Sequence, residues 1–235
     1  MDHELETGQR FEVLVRAAAK LKRLARRALR PLGLQRVEQT YWDSRKHFRY
    51  VLYVQELVRI LEPDAKSAID VGARDTPMIE DFDWIEDRST LDYSNPYSSE
   101  RVKGISADFF EFDPPKHYDL ALCLQVLEHV QDAMSFAQKL FQIADRVMIT
   151  VPYKWRAGAD KWHLQDPVDF NKLHSWTGRE PLISAIIQER RGSRRILAYY
   201  RQTDLTKKES DRIGSLNLPG MRMQFRRPMV AERTL

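Results

Sequence analysis

Hydrophobic positions recur at two different periods along this chain, and the switches between them outline its elements. "RKHFRYVLYVQELVRIL" (45–61) places Val51, Val54, Val58 and Leu61 at helical spacing and ends at Pro63-Asp64. The short apolar run Ala68-Ile69-Asp70-Val71 predicts a strand over 67–71, followed by a short helix around 76–84. "STLDY" (89–93) and "GISAD" (104–108) predict a second and a third strand. "YDLALCLQV" (118–126) is apolar almost throughout, the pattern of a central parallel strand buried on both faces. Val130, Met134, Phe136, Leu140 and Phe141 line the inner side of a helix over about 129–144, and "RVMITVP" (146–152) predicts a fifth strand. A long loop holding Trp155, Trp162 and His163 comes next, then a helix near 179–188 and a strand "RILAYY" (195–200).

Strands alternating with helices imply an α/β fold: a Rossmann-like, doubly wound, mostly parallel sheet with helices on both faces. In such a sheet the ligand lies at the carboxyl ends of the strands. Residues 41–202 carry this pattern, residues 1–40 form a helical extension before it, and residues 203–235 form a polar, basic tail with little period. No internal repeat is visible.

Charge changes the picture at the N-terminus. Between residues 11 and 30 stand Arg16, Lys20, Lys22, Arg23, Arg26, Arg27 and Arg30 against Glu12 alone, in a chain whose net charge is only +4. At ~100° per residue these bases share one arc of roughly 160°, opposite Phe11, Leu14, Leu21, Leu24 and Leu29. A basic amphipathic helix of this kind can dock on its own domain, lie on an anionic membrane surface or touch nucleic acid, in that order of expectation. No apolar run approaches the ~20 residues of a membrane span, and Asp2, Glu4 and Glu6 do not fit a signal peptide. The expected location is the cytoplasm, with peripheral contact at the inner membrane surface through residues 11–30. The single cysteine, Cys123, excludes an internal disulfide, and its apolar neighbours predict a buried thiol.

Candidate chemistry gathers at the ends of the predicted strands. Gly72 lets the backbone turn after the first strand, and Asp92 lies 20 residues further on, at the end of the second. An acid there can accept hydrogen bonds from both hydroxyls of a ribose. Asp108 follows the third strand, where a carboxylate can receive an adenine amino group while Phe109 packs on the ring. A pyrophosphate would want further glycines and no acid beside the turn, yet Ala73, Arg74, Asp75 and Thr76 follow. One turn glycine and two acids suit an adenosyl ligand that carries no phosphate.

Residues 67–152 resemble the class I S-adenosylmethionine-dependent methyltransferases. The matching pieces are "AIDVGAR", "LDY", "ADFF" and "YDLALCLQVLEHV", of which "VLEHV" is similar to the subgroup of ubiquinone-biosynthesis O-methyltransferases. The departure lies in the opening turn, where the family usually has glycines at or near the positions of Arg74 and Thr76. The resemblance implies that Asp70, Gly72, Ala73 and Arg74 line the methionine moiety, Asp92 the ribose, and Asp108 with Phe109 the adenine. Backbone groups of Leu124 and Gln125 would close over the amino-acid end. Each has a plainer use: Asp70 and Asp108 can cap turns, and Arg74 can pair with Asp75 or Asp81.

A hydroxyl acceptor needs its proton removed. His129 follows the fourth strand beside Glu128, and His163 lies in a loop that can fold over the same face, so these three are the expected catalytic group. Some relatives hold a divalent ion with Glu-x-x-Glu-His and a later histidine. Here Gln125-x-x-Glu128-His129 and His163 replace the first carboxylate by a neutral amide, which weakens a hard-cation site but leaves a transition metal feasible. A metal is not the favoured reading. The expectation is O-methylation of a glycan, a lipid-linked intermediate or a small molecule, with Trp155, Trp162 and Trp176 as candidate walls. RNA, or a non-catalytic binding role that keeps the fold, is the alternative.

Overall fold

The computed structural model describes residues 41–226. The basic amphipathic helix expected over 11–30 lies outside the described residues.

A short helix, α1 (Tyr41–Arg45), precedes the longer α2 (Arg49–Leu61). The first four amides of a helix have no partner within it. Glu189 supplies one for α2: its carboxylate accepts the N–H groups of Arg49 and Tyr50 at 2.9 and 3.1 Å. The apolar stripe of α2, from Tyr50 and Val51 to Ile60 and Leu61, is buried.

Five strands then run parallel: β1 (Ser67–Val71), β2 (Asp87–Asp92), β3 (Val102–Ser106), β4 (Tyr118–Leu124) and β5 (Ala144–Pro152). Between β4 and β5 lies α3 (Ala133–Ile143), whose N-cap Asp132 accepts the amide of Ser135. β6 (Ile183–Gln188), β7 (Arg194–Tyr200) and β8 (Met221–Phe225) are antiparallel to their neighbours. The spatial order is β3-β2-β1-β4-β5-β7-β6-β8.

The sheet separates two cores, as the period of a strand requires. Leu120 and Leu122 of β4 face Val54, Leu57 and Val58 of α2, whereas Ala121 and Cys123 face Ala137 and Leu140 of α3. Cys123 is a buried free thiol, and burial raises its pKa well above the ordinary value.

The doubly wound, mostly parallel sheet expected from the pattern is present, with three local corrections. The segment 179–188 is not a helix: Ile183, Ile186 and Ile187 are β-branched, and residues 183–188 pair along their length with β7. The helix of this region is α4 (Phe170–Thr177), inside the expected loop, with Asp169 capping its start and Gly178 at φ 62° closing its end. The sheet also extends beyond residue 202. α5 (Lys207–Gly214) begins with a reciprocal Thr206–Glu209 cap and lies against α2, and β8 covers the outer edge of β6.

Candidate active site

Chains leaving β1 and β4 turn to opposite sides of the sheet, which opens a crevice at their carboxyl ends. Gly72 sits in that crevice with φ at 77°, and a Cβ there would lie 2.6 Å from Cγ2 of Val126. The two loops therefore meet with no room for a side chain. Arg74 and Gln125, on either side of the crevice, also adopt left-handed backbone, at φ 50° and 61°. For residues other than glycine that conformation costs on the order of 1–3 kcal/mol and tends to gather at functional turns.

The other expected cofactor residues divide into open and occupied groups. Asp70 is buried at the end of β1, and burial pushes its carboxyl up to about 7. Asp92 already accepts four hydrogen bonds: Ser94 N–H, Ser94 Oγ–H and Asn95 N–H reach Oδ1, and Arg74 N–H reaches Oδ2 at 3.2 Å. Each carboxylate oxygen has about two acceptor positions; Oδ1 is crowded with three donors, and Oδ2, with one, keeps a single position for a ligand hydroxyl where the sequence suggested two. Gln125 donates through Nε2 to Thr150 Oγ1 at 3.1 Å, while its buried Oε1 has no partner among the described residues. Leu124 ends β4 half-buried, and Ala73 is buried. Asp108 is exposed and accepts the amide of Phe110. Phe109 is buried with its ring 4.4 Å from that of Phe136, and its neighbour Phe110 is exposed. Phe136, on the buried face of α3, is the partner that Phe109 packs against.

Beyond β4, Glu128, His129 and His163 come together, with one ligand atom of each lying within 4.8 Å of the others. Helical turns and a loop amide hold them there. Residues 127–129 form one turn of 3-10 helix, and the carbonyl of Glu128 accepts the amides of Leu164 and Gln165. That pairing pins the 153–169 loop over the end of β4. His129 Nδ1 lies 2.9 Å from the carbonyl of Trp162, and a carbonyl only accepts, so Nδ1 carries the proton. His163 Nδ1 lies 2.6 Å from Asp166 Oδ2, which fixes the same tautomer. Both rings thus leave Nε2 without a hydrogen bond among the described residues, with Glu128 at 4.0 Å from that of His129 and Asp160 at 3.9 Å from that of His163.

Glu128 is 1% exposed, and its Oε2 has no partner among the described residues. Burial pushes its carboxyl up to about 8, against the lowering effect of its own backbone amide and of Arg195. Burial also lowers the pKa of His129. His129 Nε2 approaches Glu128 Oε1 at 4.0 Å, and burial disfavours charge on both groups. The Trp155 ring stacks on His163 at 5.3 Å and closes one side. Trp176 is core, whereas Trp162 is mostly exposed.

Three residues of this region were not legible as site residues in the sequence. Asp166 carried a signal, since it lies three residues beyond His163 in the same loop. Arg45 and Arg195 carried none, because α1 and β7 reach the crevice only through the tertiary fold.

This strand order, with its crevice between β1 and β4, is the fold of class I methyltransferases. Among solved structures that share it are the methyltransferase domain of bacterial CtHen1 (TM-score 0.50, 15% identity, 65% of this chain and 97% of that one) and the N-methyltransferase NodS of Bradyrhizobium japonicum WM9, crystallised with S-adenosyl-L-homocysteine (TM-score 0.52, 13% identity, 71% of this chain and 90% of that one). No family model and no curated protein matches the sequence.

Proposed function

We propose that this chain is an S-adenosylmethionine-dependent methyltransferase that acts on a hydroxyl group of a glycan, a lipid-linked intermediate or a small molecule. The observation that carries the reading is the meeting of two imidazole Nε2 acceptors with Glu128 beside the Gly72–Val126 contact. When bound, the cofactor supplies a methyl carbon on a sulfonium that leaves as a neutral thioether. The crevice suits the ammonium of its amino-acid end, with Asp70 and the unpartnered Oε1 of Gln125 as acceptors. Oδ2 of Asp92 holds one ribose hydroxyl, and Phe110 is the ring open to the adenine. His163, oriented by Asp166, or His129, oriented by Trp162, takes the proton of the acceptor hydroxyl as the oxygen attacks.

A second reading of the same three side chains is a transition-metal site. It is favoured by one observation: each imidazole donates its other N–H to a carboxylate or a carbonyl, the arrangement that orients metal-bound histidine. One carboxylate and two imidazoles suit such an ion better than magnesium. Residues 11–30 would then bring the enzyme to an anionic membrane surface, where a lipid-linked acceptor resides.

Calorimetric titration of S-adenosylmethionine and S-adenosylhomocysteine tests the cofactor. Micromolar affinity, roughly 8 kcal/mol, weakened in Asp92→Asn, is the expected result; absence of binding by either ligand overturns the reading. Turnover of a methyl acceptor that survives chelation, but is lost in both His129→Ala and His163→Ala, assigns the histidines as bases. Turnover restored to the chelated protein by a single added ion assigns them as metal ligands.

A further inference from the structure

Arg195 is a buried guanidinium with an ion pair but no hydrogen bond among the described residues. It lies at the start of β7, is 3% exposed, and donates no hydrogen bond to any described residue. Its Nε is ion-paired at 3.5 Å with the equally buried Glu189, whose two oxygens also accept the amides that start α2. Aromatic rings hold the group as well: its Cζ lies 4.8 Å from the ring centre of Tyr50, 5.3 Å from Phe48 and 5.5 Å from Trp155. Stacking occupies the faces of a guanidinium and leaves the edge donors for a partner in its plane. A guanidinium has five such donors, and the Nε donor of Arg195 is buried with no hydrogen-bond partner among the described residues, which is costly.

A second arginine joins it. Arg45 of α1 rests on the rings of Tyr41 and Phe48, at 4.9 and 5.7 Å, and makes no ion pair or hydrogen bond through its side chain among the described residues. It is close enough for its charge to act on Glu128, His129 and Asp160, and it disfavours the charge of Arg195. Arg74 lies 4.7 Å over the Tyr41 ring as well. Three arginines gather here, next to the group that would activate the acceptor, and among the described residues Glu189 is the one carboxylate in ion-pair reach of any of them. Coulomb repulsion of this kind is relieved by an anion.

We propose that the acceptor is itself an anion, and that a carboxylate or phosphate on it is gripped by Arg195 and Arg45 while its hydroxyl lies at the Glu128–His163 cluster. The proposal rests on the methyltransferase reading. Rigid stacking pre-orients the Arg195 fork, so recognition is bidentate and a lysine does not replace it. Tyr50 and Trp155, whose rings flank Arg195, suit the flat or apolar body of such an acceptor.

The test uses the full chain with two matched probe pairs, benzoate against benzyl alcohol and phenyl phosphate against phenol. Each is titrated by NMR, in the presence and absence of S-adenosylhomocysteine. At least one anion binds and its neutral counterpart binds at least tenfold more weakly. Arg45→Gln and Arg195→Lys each weaken that anion about tenfold while leaving the affinity for S-adenosylhomocysteine within twofold. Arg45→Gln changes a half-buried residue of a short helix and serves should Arg195→Lys disturb the aromatic stack. Equal binding of charged and neutral probes, no binding of either anion, or anion affinity unaffected by Arg45→Gln overturns the proposal. Where the anions fail and S-adenosylhomocysteine binds, the methyltransferase reading stands without it. Where arginine-dependent anion binding persists and S-adenosylhomocysteine never binds, the methyltransferase reading falls instead. Preference for phenyl phosphate over benzoate points to a phosphorylated acceptor, and the reverse preference to a carboxylic acid.

Discussion

Gly72 shows how much of the site depends on the absence of one carbon. A methyl group there meets both the Val126 side chain, at 2.6 Å, and an unfavourable φ of 77°. Gly72→Ala is expected to cost about 1–3 kcal/mol of stability, from overpacking and backbone strain together, and to weaken S-adenosylhomocysteine binding. Val126→Ala removes the steric part alone. The double variant should therefore recover part of the loss in urea unfolding, and full recovery would show that the backbone angle carries no cost. Asp166 acts through another residue: its carboxylate accepts from His163 Nδ1 and keeps Nε2 free. Asp166→Asn should lower turnover at least tenfold with cofactor affinity within twofold. Unchanged turnover would remove Asp166 from the site, since a loss of packing alone would not spare cofactor binding.

At the scale of elements, two carboxylates give pH dependence of opposite sign. Glu62 ends α2 and lies buried between β5 and β7, where it accepts the hydroxyl of Tyr199 and stands 3.3 Å from Arg146 Nε. Burial outweighs those partners and pushes its carboxyl up to about 7 from an ordinary 4.5. The folded chain then binds a proton that the unfolded chain has released. Stability from this group is full below about 4.5 and is lost as pH rises through about 7, on the order of 3 kcal/mol in total. Chemical denaturation at pH 5 and pH 8 checks this: Glu62→Gln should show a smaller fall between the two than the wild type. Glu209 runs the other way. Hydrogen bonds from Arg201 hold its carboxyl down to about 2, so its contribution is present above about 4.5 and lost as pH falls toward 2. An equal slope in wild type and Glu62→Gln would place the pH dependence on the other buried acids, Asp70 and Glu128.

At the scale of the molecule, the described chain is closed at one side by its last elements. β8 pairs with β6 from Ile183 to Ile187, and Ile213 of α5 is buried with the α2 core. Ending the chain at residue 202 would strip both away and open β6 as a bare edge, which invites pairing between molecules. The truncated protein should unfold at lower temperature and elute as aggregate in size exclusion; a monomer of unchanged melting temperature would show that α5 and β8 are ornaments on a complete sheet. Among the described residues no helix is long and apolar enough to cross a membrane. Contact of residues 11–30 with anionic vesicles is accordingly a question for the whole chain.

The one-dimensional pattern settled those features that depend on local period. Five parallel strands, α2 and α3 were visible because burial on one stripe or on both faces writes itself into spacing, and Gly72, Asp92, Glu128 and His129 could be placed at strand ends by counting. Residues 183–188 defeated the same method because a short apolar run suits a helix or a buried strand equally; pairing with β7 decided it. The α4 caps, Asp169 and Gly178, were legible but lay in a stretch dominated by its tryptophans. Only the tertiary structure decided which groups are spent and which are free. Asp92 is largely consumed by its own loop, Phe109 packs on α3, and Arg195 is left with an ion pair but no hydrogen bond among the described residues. These are outcomes of distance and burial between residues far apart in sequence, and no local period records them.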